Sequence, residues 1–177
     1  MNEGILQFDF SGCGVVKRFD SRECNCHGLK AVDFFVESDD CLYFVEVKDY
    51  QNPNTPPERR KDDYKMLCEA IEKKDSVFCL EMGAKIKDSL LRCYAMGDNF
   101  CKRVVYLLFI RLDGYGSRER GRLKEKISGH VPTGLNDKRF DKFKEISFEL
   151  VNAEQLKQFG ITCTTHRETV TKEYVRT

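Results

Sequence analysis

Neither sign of charge is in excess in this sequence, no apolar run is long, and no segment repeats. Lys and Arg number 30 against 29 Asp and Glu, a formal net charge of +1, so overall charge predicts neither a nucleic acid nor a membrane surface as partner. Any attraction for phosphate must be local. No apolar stretch approaches the roughly 18 residues of a spanning helix, and the first ten residues, MNEGILQFDF, carry acids where a secretory leader would have a basic head. The nine cysteines are odd in number, and Cys41, Cys68, Cys79, Cys93 and Cys101 lie inside apolar runs. A disulfide framework is therefore not expected, and the chain reads as a protein of a reducing cytoplasm without a membrane partner.

What is present suits one sizeable core. At 177 residues and 41% hydrophobic content, a single domain over 1–177 is the expectation. Strand-like segments run over 5–10 and 15–19, with the glycines of SGCG as a turn between them. Two apolar runs follow at 30–37 and 42–48. The loop QNPNTPP then ends the sheet character, because proline cannot donate to a ladder and pre-sets a helix start. Thr55 is the expected N-cap, with Glu58 completing a capping box and Tyr64, Leu67, Cys68 and Ile71 forming an apolar stripe. A second helix is expected over 76–95, with Phe78, Met82, Ile86, Leu90 and Tyr94 on one face and Gly97 as its stop.

RVVYLLFIRL, 103–112, reads as a strand buried on both faces. The tail supplies a strand over 146–151, a short helix from Ala153 and a last strand over 161–165. The expected class is mixed α/β or α+β: a central mixed sheet flanked by helices, with a core over about 5–112 and a strand and helix extension over about 113–177.

The chemistry concentrates in VDFFVESDDCLYFVEVKDY, 32–50. A hairpin turning at Asp39 and Asp40 pairs residues whose numbers sum to 79. Val32, Phe34 and Val36 then face Val47, Val45 and Tyr43 on an apolar side. On the other side Phe35 meets Phe44, Glu37 meets Leu42, and Asp33 meets Glu46, with Lys48 pointing the same way. Two carboxylates about 5 Å apart destabilise a sheet unless something compensates. A hard divalent cation would do so, since it takes one or two carboxylates together with water and phosphate oxygen. An exposed face of hydrated acids is the alternative, and Phe35 and Phe44 beside them speak against full exposure.

At KAVDFF and YFVEVKDY the sequence resembles the PD-(D/E)xK nuclease superfamily, with Asp33, Glu46 and Lys48 at the motif positions. The resemblance implies a restriction-endonuclease-like core, Asp33 and Glu46 as metal ligands, and Lys48 as the catalytic lysine of phosphodiester hydrolysis; the expected ion is Mg²⁺ or Mn²⁺, with the main-chain carbonyl of Val47 as a further ligand. Two features depart from the pattern: Val32 replaces the proline, and 5–30 contains no helix to carry a further glutamate. Asp20 and Glu23 are the candidates for an extra acid. A catalytically silent module of the same fold, binding nucleic acid or protein, is the other reading.

Weaker constellations surround this one. Cys24, Cys26 and His27 could offer soft metal ligands, but the other histidines, His130 and His166, are distant and supply no second pair. Lys85 and Asp88 lie on a helix that could flank a substrate backbone. The stretch 111–126 reads as a flexible basic loop in which Arg118, Arg120, Arg122 and Lys124 would contact nucleic-acid phosphates, DNA ahead of RNA, with Tyr115 available to stack on a base. Arg59, Arg60 and Lys61 could add to the same local field. The small size suits a homodimer or a module acting beside a partner protein.

Overall fold

The computed structural model describes residues 1–21, 28–97, 102–137 and 145–165. Its centre is a five-stranded mixed sheet in the order β3 (Val15–Arg18), β4 (Phe34–Glu37), β5 (Cys41–Asp49), β6 (Arg103–Arg111) and β7 (Glu145–Val151). The first three strands are antiparallel, and β5, β6 and β7 run parallel. A second, antiparallel sheet joins β1 (Asn2–Glu3), β2 (Leu6–Asp9) and β8 (Thr162–Thr165). The architecture is mixed α+β.

Parallel strands need crossovers, and here helices supply them on one face of the sheet. Helices α1 (Pro57–Glu72) and α2 (Val77–Ala95) connect β5 to β6, and α3 (Ser117–Ser128) leads from β6 toward β7. Leu67 and Ala70 of α1, Phe78, Met82, Ile86 and Leu90 of α2, and Leu123 and Ile127 of α3 share one core with Phe35, Leu42 and Phe44 of the sheet. The opposite face packs Phe34, Val36, Val45 and Val47 against Leu6 and Phe8 of the small sheet and Leu156 of α4 (Ala153–Leu156). Strand β6 lies between both cores, and its residues from Val104 to Ile110 are buried, as its continuous apolar run demands. Because β7 joins the main sheet and β8 pairs with β2, the residues after 112 are built into both layers. They are not appended to a finished core.

Several local expectations change. Helix α1 begins one step later than Thr55: Pro56 is its N-cap, Pro57 its first residue, and no side chain caps it. Proline is tolerated there because the first N–H groups of a helix have no intrahelical partner. Tyr64 and Tyr94 are exposed, so each apolar stripe is narrower than the spacing suggests. The basic stretch 111–126 is not a flexible loop: after a turn at 113–116 it is helix α3, whose Leu123 and Ile127, one turn apart, dock it on the core. The glycines that suggested a loop flank or face away from that docking stripe. Of the cysteines, Cys13, Cys41, Cys68, Cys79 and Cys163 form no disulfide. Cys24, Cys26 and His27 lie outside the described residues.

Candidate active site

The hairpin register is the expected one over its paired length: Phe34 faces Val45, Phe35 faces Phe44, Val36 faces Tyr43 and Glu37 faces Leu42. Phe35 and Phe44 meet edge to face at 5.4 Å on the helix side, so the carboxylates beyond them rest on a dry floor. The ladder then stops one rung before Asp33. Val32 is not paired with Val47; it turns into the helix-side core and donates its N–H to Ser89 Oγ of α2 at 3.1 Å. The reason is Asp33 itself, whose Oδ2 accepts the Val47 N–H at 2.6 Å, the group the next rung would have used.

Helix α2 and strand β3 hold this departure in place. Asp88 Oδ2 accepts the Lys30 N–H at 2.9 Å, and Phe19 N–H donates to the Asp33 carbonyl at 2.8 Å. Arg92, buried, donates to the Phe19 carbonyl at 2.8 Å and lies 4.1 Å from the Phe19 ring centre. Among the described residues the buried polar or charged ones are Asp33, Glu46, Ser76, Ser89 and Arg92. Ser76 is the N-cap of α2, and the other four belong to this junction. Burying such groups is costly without partners, so the fold spends its buried polarity on positioning two carboxylates.

Asp33 and Glu46 are both buried, and a lysine from the helix layer compensates them. Lys85 Nζ of α2 lies 2.6 and 2.7 Å from the two oxygens of Glu46 and 4.0 Å from Asp33 Oδ1. Lys48 Nζ approaches Glu46 Oε1 at 3.0 Å from the more open side. Burial, and then the charge of Glu46, push the Asp33 carboxyl up to about 7, against the pull of Lys85 and the Val47 N–H. For Lys48, burial works to lower the ammonium pKa, but the Glu46 carboxylate outweighs it and the net shift is upward. Two lysines against two carboxylates explain how the charges of the β4–β5 hairpin are tolerated. Lys85, expected only to flank a substrate, is a direct partner of both acids; spacing gave no hint of it, because its contact depends on how α2 crosses the sheet.

The remaining expected residues separate. Asp20 is exposed and accepts from Arg18 Nε at 2.9 Å, so it does not join the site. Glu23 lies outside the described residues. Arg118 and Arg122 are exposed on one face of α3, while Arg120 and Lys124 lie roughly 200° and 240° around the helix from Arg118, and Lys124 is paired with Glu149 at 2.6 Å. Tyr50, two residues beyond Lys48, was not expected here. Its hydroxyl is buried without a hydrogen-bond partner, and burial, with Asp63, Tyr115, Glu81 and Glu46 nearby, raises its pKa far above the usual phenol range.

The donors fit a magnesium-type ion. Two carboxylates and one main-chain carbonyl are hard oxygen ligands, and such an ion commonly completes its shell with water and phosphate. In a strand the N–H and C=O of one residue point to the same edge, so the Val47 carbonyl looks with its N–H toward Asp33, past the end of the ladder. The Lys85 ammonium, against both acids, stands where a cation is favoured. Among the described residues no group of three or more His, Cys, Asp or Glu side chains is placed to hold a metal. No helix among the described residues is long and apolar enough to cross a membrane. No family model, no curated protein and no solved structure matches the chain.

Proposed function

We propose that this chain is a metal-dependent phosphodiester hydrolase, a nuclease using Mg²⁺ or Mn²⁺ on DNA or RNA, in keeping with the resemblance of its motif to the PD-(D/E)xK superfamily. The observation that carries the reading is the meeting of Asp33, Glu46 and Lys48, with both carboxylates buried, at the end of a rigid strand pair. Asp33, Glu46 and the Val47 carbonyl would hold the ion. An ion held by these residues would supply Lewis-acid chemistry, polarising a phosphate oxygen and lowering the pKa of an attacking water.

The chain's own residues do the rest. Lys48, the more exposed of the two lysines at 25% against 15% for Lys85, faces the substrate side. Its ammonium stabilises the charge that develops on the phosphate and orients the water. Phe35 and Phe44 keep solvent from beneath the carboxylates, which strengthens each electrostatic contact above them. Lys85 holds Glu46 in place through both of its oxygens. A reducing cytoplasm suits the unpaired buried thiols, and cutting both strands of a duplex would call for two copies or a partner protein.

The test is incubation of the purified protein with mixed single- and double-stranded DNA and RNA in Mg²⁺, Mn²⁺ or EDTA. Cleavage that needs the ion and is abolished by Glu46→Gln and Lys48→Ala is the expected result. Metal-independent cleavage, or cleavage that survives both substitutions, would overturn it. The second reading, a silent binding module of the same fold, is favoured by one observation: Lys85 occupies both oxygens of Glu46. Under that reading the wild-type protein binds nucleic acid or protein and cuts nothing.

A further inference from the structure

Beyond the carboxylate site, the carboxyl ends of β6 and β7 carry a second polar concavity. After β7 the chain passes from the helix side of the sheet to α4 on the opposite side. The space outside the carboxyl ends of parallel strands is where ligands of open α/β sheets bind. Two adjoining crevices lie here, of about 300 and 460 Å³, and Tyr115, Arg120 and Asn152 line both. The smaller volume already suits a small ligand.

The charge in these crevices is unevenly matched. Arg111 is paired with Asp49 at 3.2 Å and Lys124 with Glu149 at 2.6 Å. Arg120, half-buried, has no carboxylate partner among the described residues; its guanidinium makes only two long contacts of 3.4 Å, to the Leu150 carbonyl and to Gln155 Oε1. Loss of water on burial pulls its pKa down, the mark of a cation lacking its anion. The one carboxylate on the wall of the smaller crevice, Asp113, is exposed and therefore screened by solvent. A planar guanidinium with free donors is suited to a phosphate oxygen pair.

The sheet register ties this crevice to the catalytic strand. Ile110 and Arg111, on its wall, are the direct partners of Lys48 and Asp49, so the crevice opens at the end of the strand next to the one that carries Lys48. Tyr115 is among the groups that act on the unpartnered Tyr50 hydroxyl, and both rings pack against the helix-side core.

We propose that this crevice is a nucleotide subsite: Arg120 binds a phosphate of a nucleoside phosphate, with Tyr115 as the apolar wall for the rest of the nucleotide. It rests on the nuclease reading only for the role of that nucleotide, the neighbour of the unit cut at Asp33, Glu46 and Lys48. Binding itself needs neither metal nor cleavage.

The experiment is titration of the whole chain with thymidine 5′-monophosphate in EDTA, followed by calorimetry and by amide shifts in ¹⁵N spectra, with thymidine alone as a phosphate-free probe. Arg120→Gln and Arg120→Lys are compared with Lys65→Gln, an exposed charge on α1, and thermal melts check that each variant is folded. The subsite predicts saturable binding, shifts confined to about residues 110–124 and 150–155, no binding of thymidine, at least a tenfold weaker affinity for Arg120→Gln, an intermediate one for Arg120→Lys, and no change for Lys65→Gln. Absence of saturable binding, equal loss from Lys65→Gln, or equal binding of thymidine would overturn it. Full binding by a protein that never cleaves would leave the subsite standing and sink the nuclease reading; cleavage without monophosphate binding would do the reverse.

Discussion

Lys85 on helix α2 grips both carboxylate oxygens of Glu46 on strand β5, at 2.6 and 2.7 Å, across 39 residues of sequence. A buried carboxylate and a partly buried ammonium are in balance there, and Lys48 reinforces the balance from the edge. Removing one partner of a buried pair leaves the other charge uncompensated.

Lys85→Met is therefore expected to destabilise the metal-free protein by about 3 kcal/mol, the lower end for breaking a buried pair, because Lys48 still covers one oxygen. Mg²⁺ or Mn²⁺ should restore much of that loss, since the ion then enters a site with no resident cation. Thermal melts in EDTA and across a metal titration measure both effects. A metal response no larger than that of the wild type would show that Lys85 and the ion do not compete.

Asp33 gives the stability a distinctive pH dependence. Its carboxyl rises from the ordinary 3.8 to about 7, by burial first and Glu46 second. Below about pH 4 folded and unfolded chains both hold the proton. Between about pH 4 and 7 the unfolded chain releases it while the folded chain keeps it, so stability falls as pH rises and levels off above 7. The full contribution is on the order of 4 kcal/mol. In EDTA, Asp33→Asn should lack this slope and be more stable than wild type at pH 8, yet close to it at pH 4. Its amide oxygen can still accept the Val47 N–H. Urea titrations at several pH values decide the matter, and parallel slopes for the two proteins would count against the assigned shift.

Much of this arrangement was legible in the residues, and the parts that were not have a common cause. The pairing of Phe34 with Val45 and of Phe35 with Phe44 follows from strict alternation, since a slip of one residue would expose the apolar face. The convergence of Asp33 and Glu46 on the helix side followed from the same register. The loss of the Val32–Val47 rung did not, because it depends on a side chain replacing a main-chain acceptor. Lys85 was named without its contact to the acids, and Arg120 as one of four alike phosphate contacts on a loop. Both sit on helices whose rotation is fixed by packing, Ile86 and Leu90 for α2 and Leu123 and Ile127 for α3, and such rotation is decided by the partner surface. The glycines at 114, 116 and 121 also masked α3, whose stability comes from that docking more than from propensity.

Tyr50 carries a buried hydroxyl with no partner, a group that costs about 1 to 3 kcal/mol while it stays unsatisfied. Tyr50→Phe should thus raise stability by about 1 kcal/mol in EDTA, read as a higher urea midpoint with an unchanged slope. A lower midpoint would mean that the hydroxyl has a partner in solution.

The two lysines on Glu46 should separate by what their loss removes. Lys48 makes one contact at 3.0 Å and is the more exposed, whereas Lys85 covers both oxygens. Lys48→Met leaves Glu46 compensated, so its melting temperature should fall by no more than the equivalent of about 1 kcal/mol, the worth of a partly exposed pair. Cleavage should nonetheless drop at least a hundredfold, as it does when a preorganised donor to a developing oxyanion is lost. Lys85→Met should show the opposite balance, a large loss of stability and, once loaded with metal, substantial residual cleavage. Single-turnover rates at saturating Mn²⁺ together with melts of the same samples separate the two. If Lys85→Met abolishes cleavage in fully loaded, folded protein while Lys48→Met retains it, the ammonium that serves the phosphate comes from the helix and not from the strand motif.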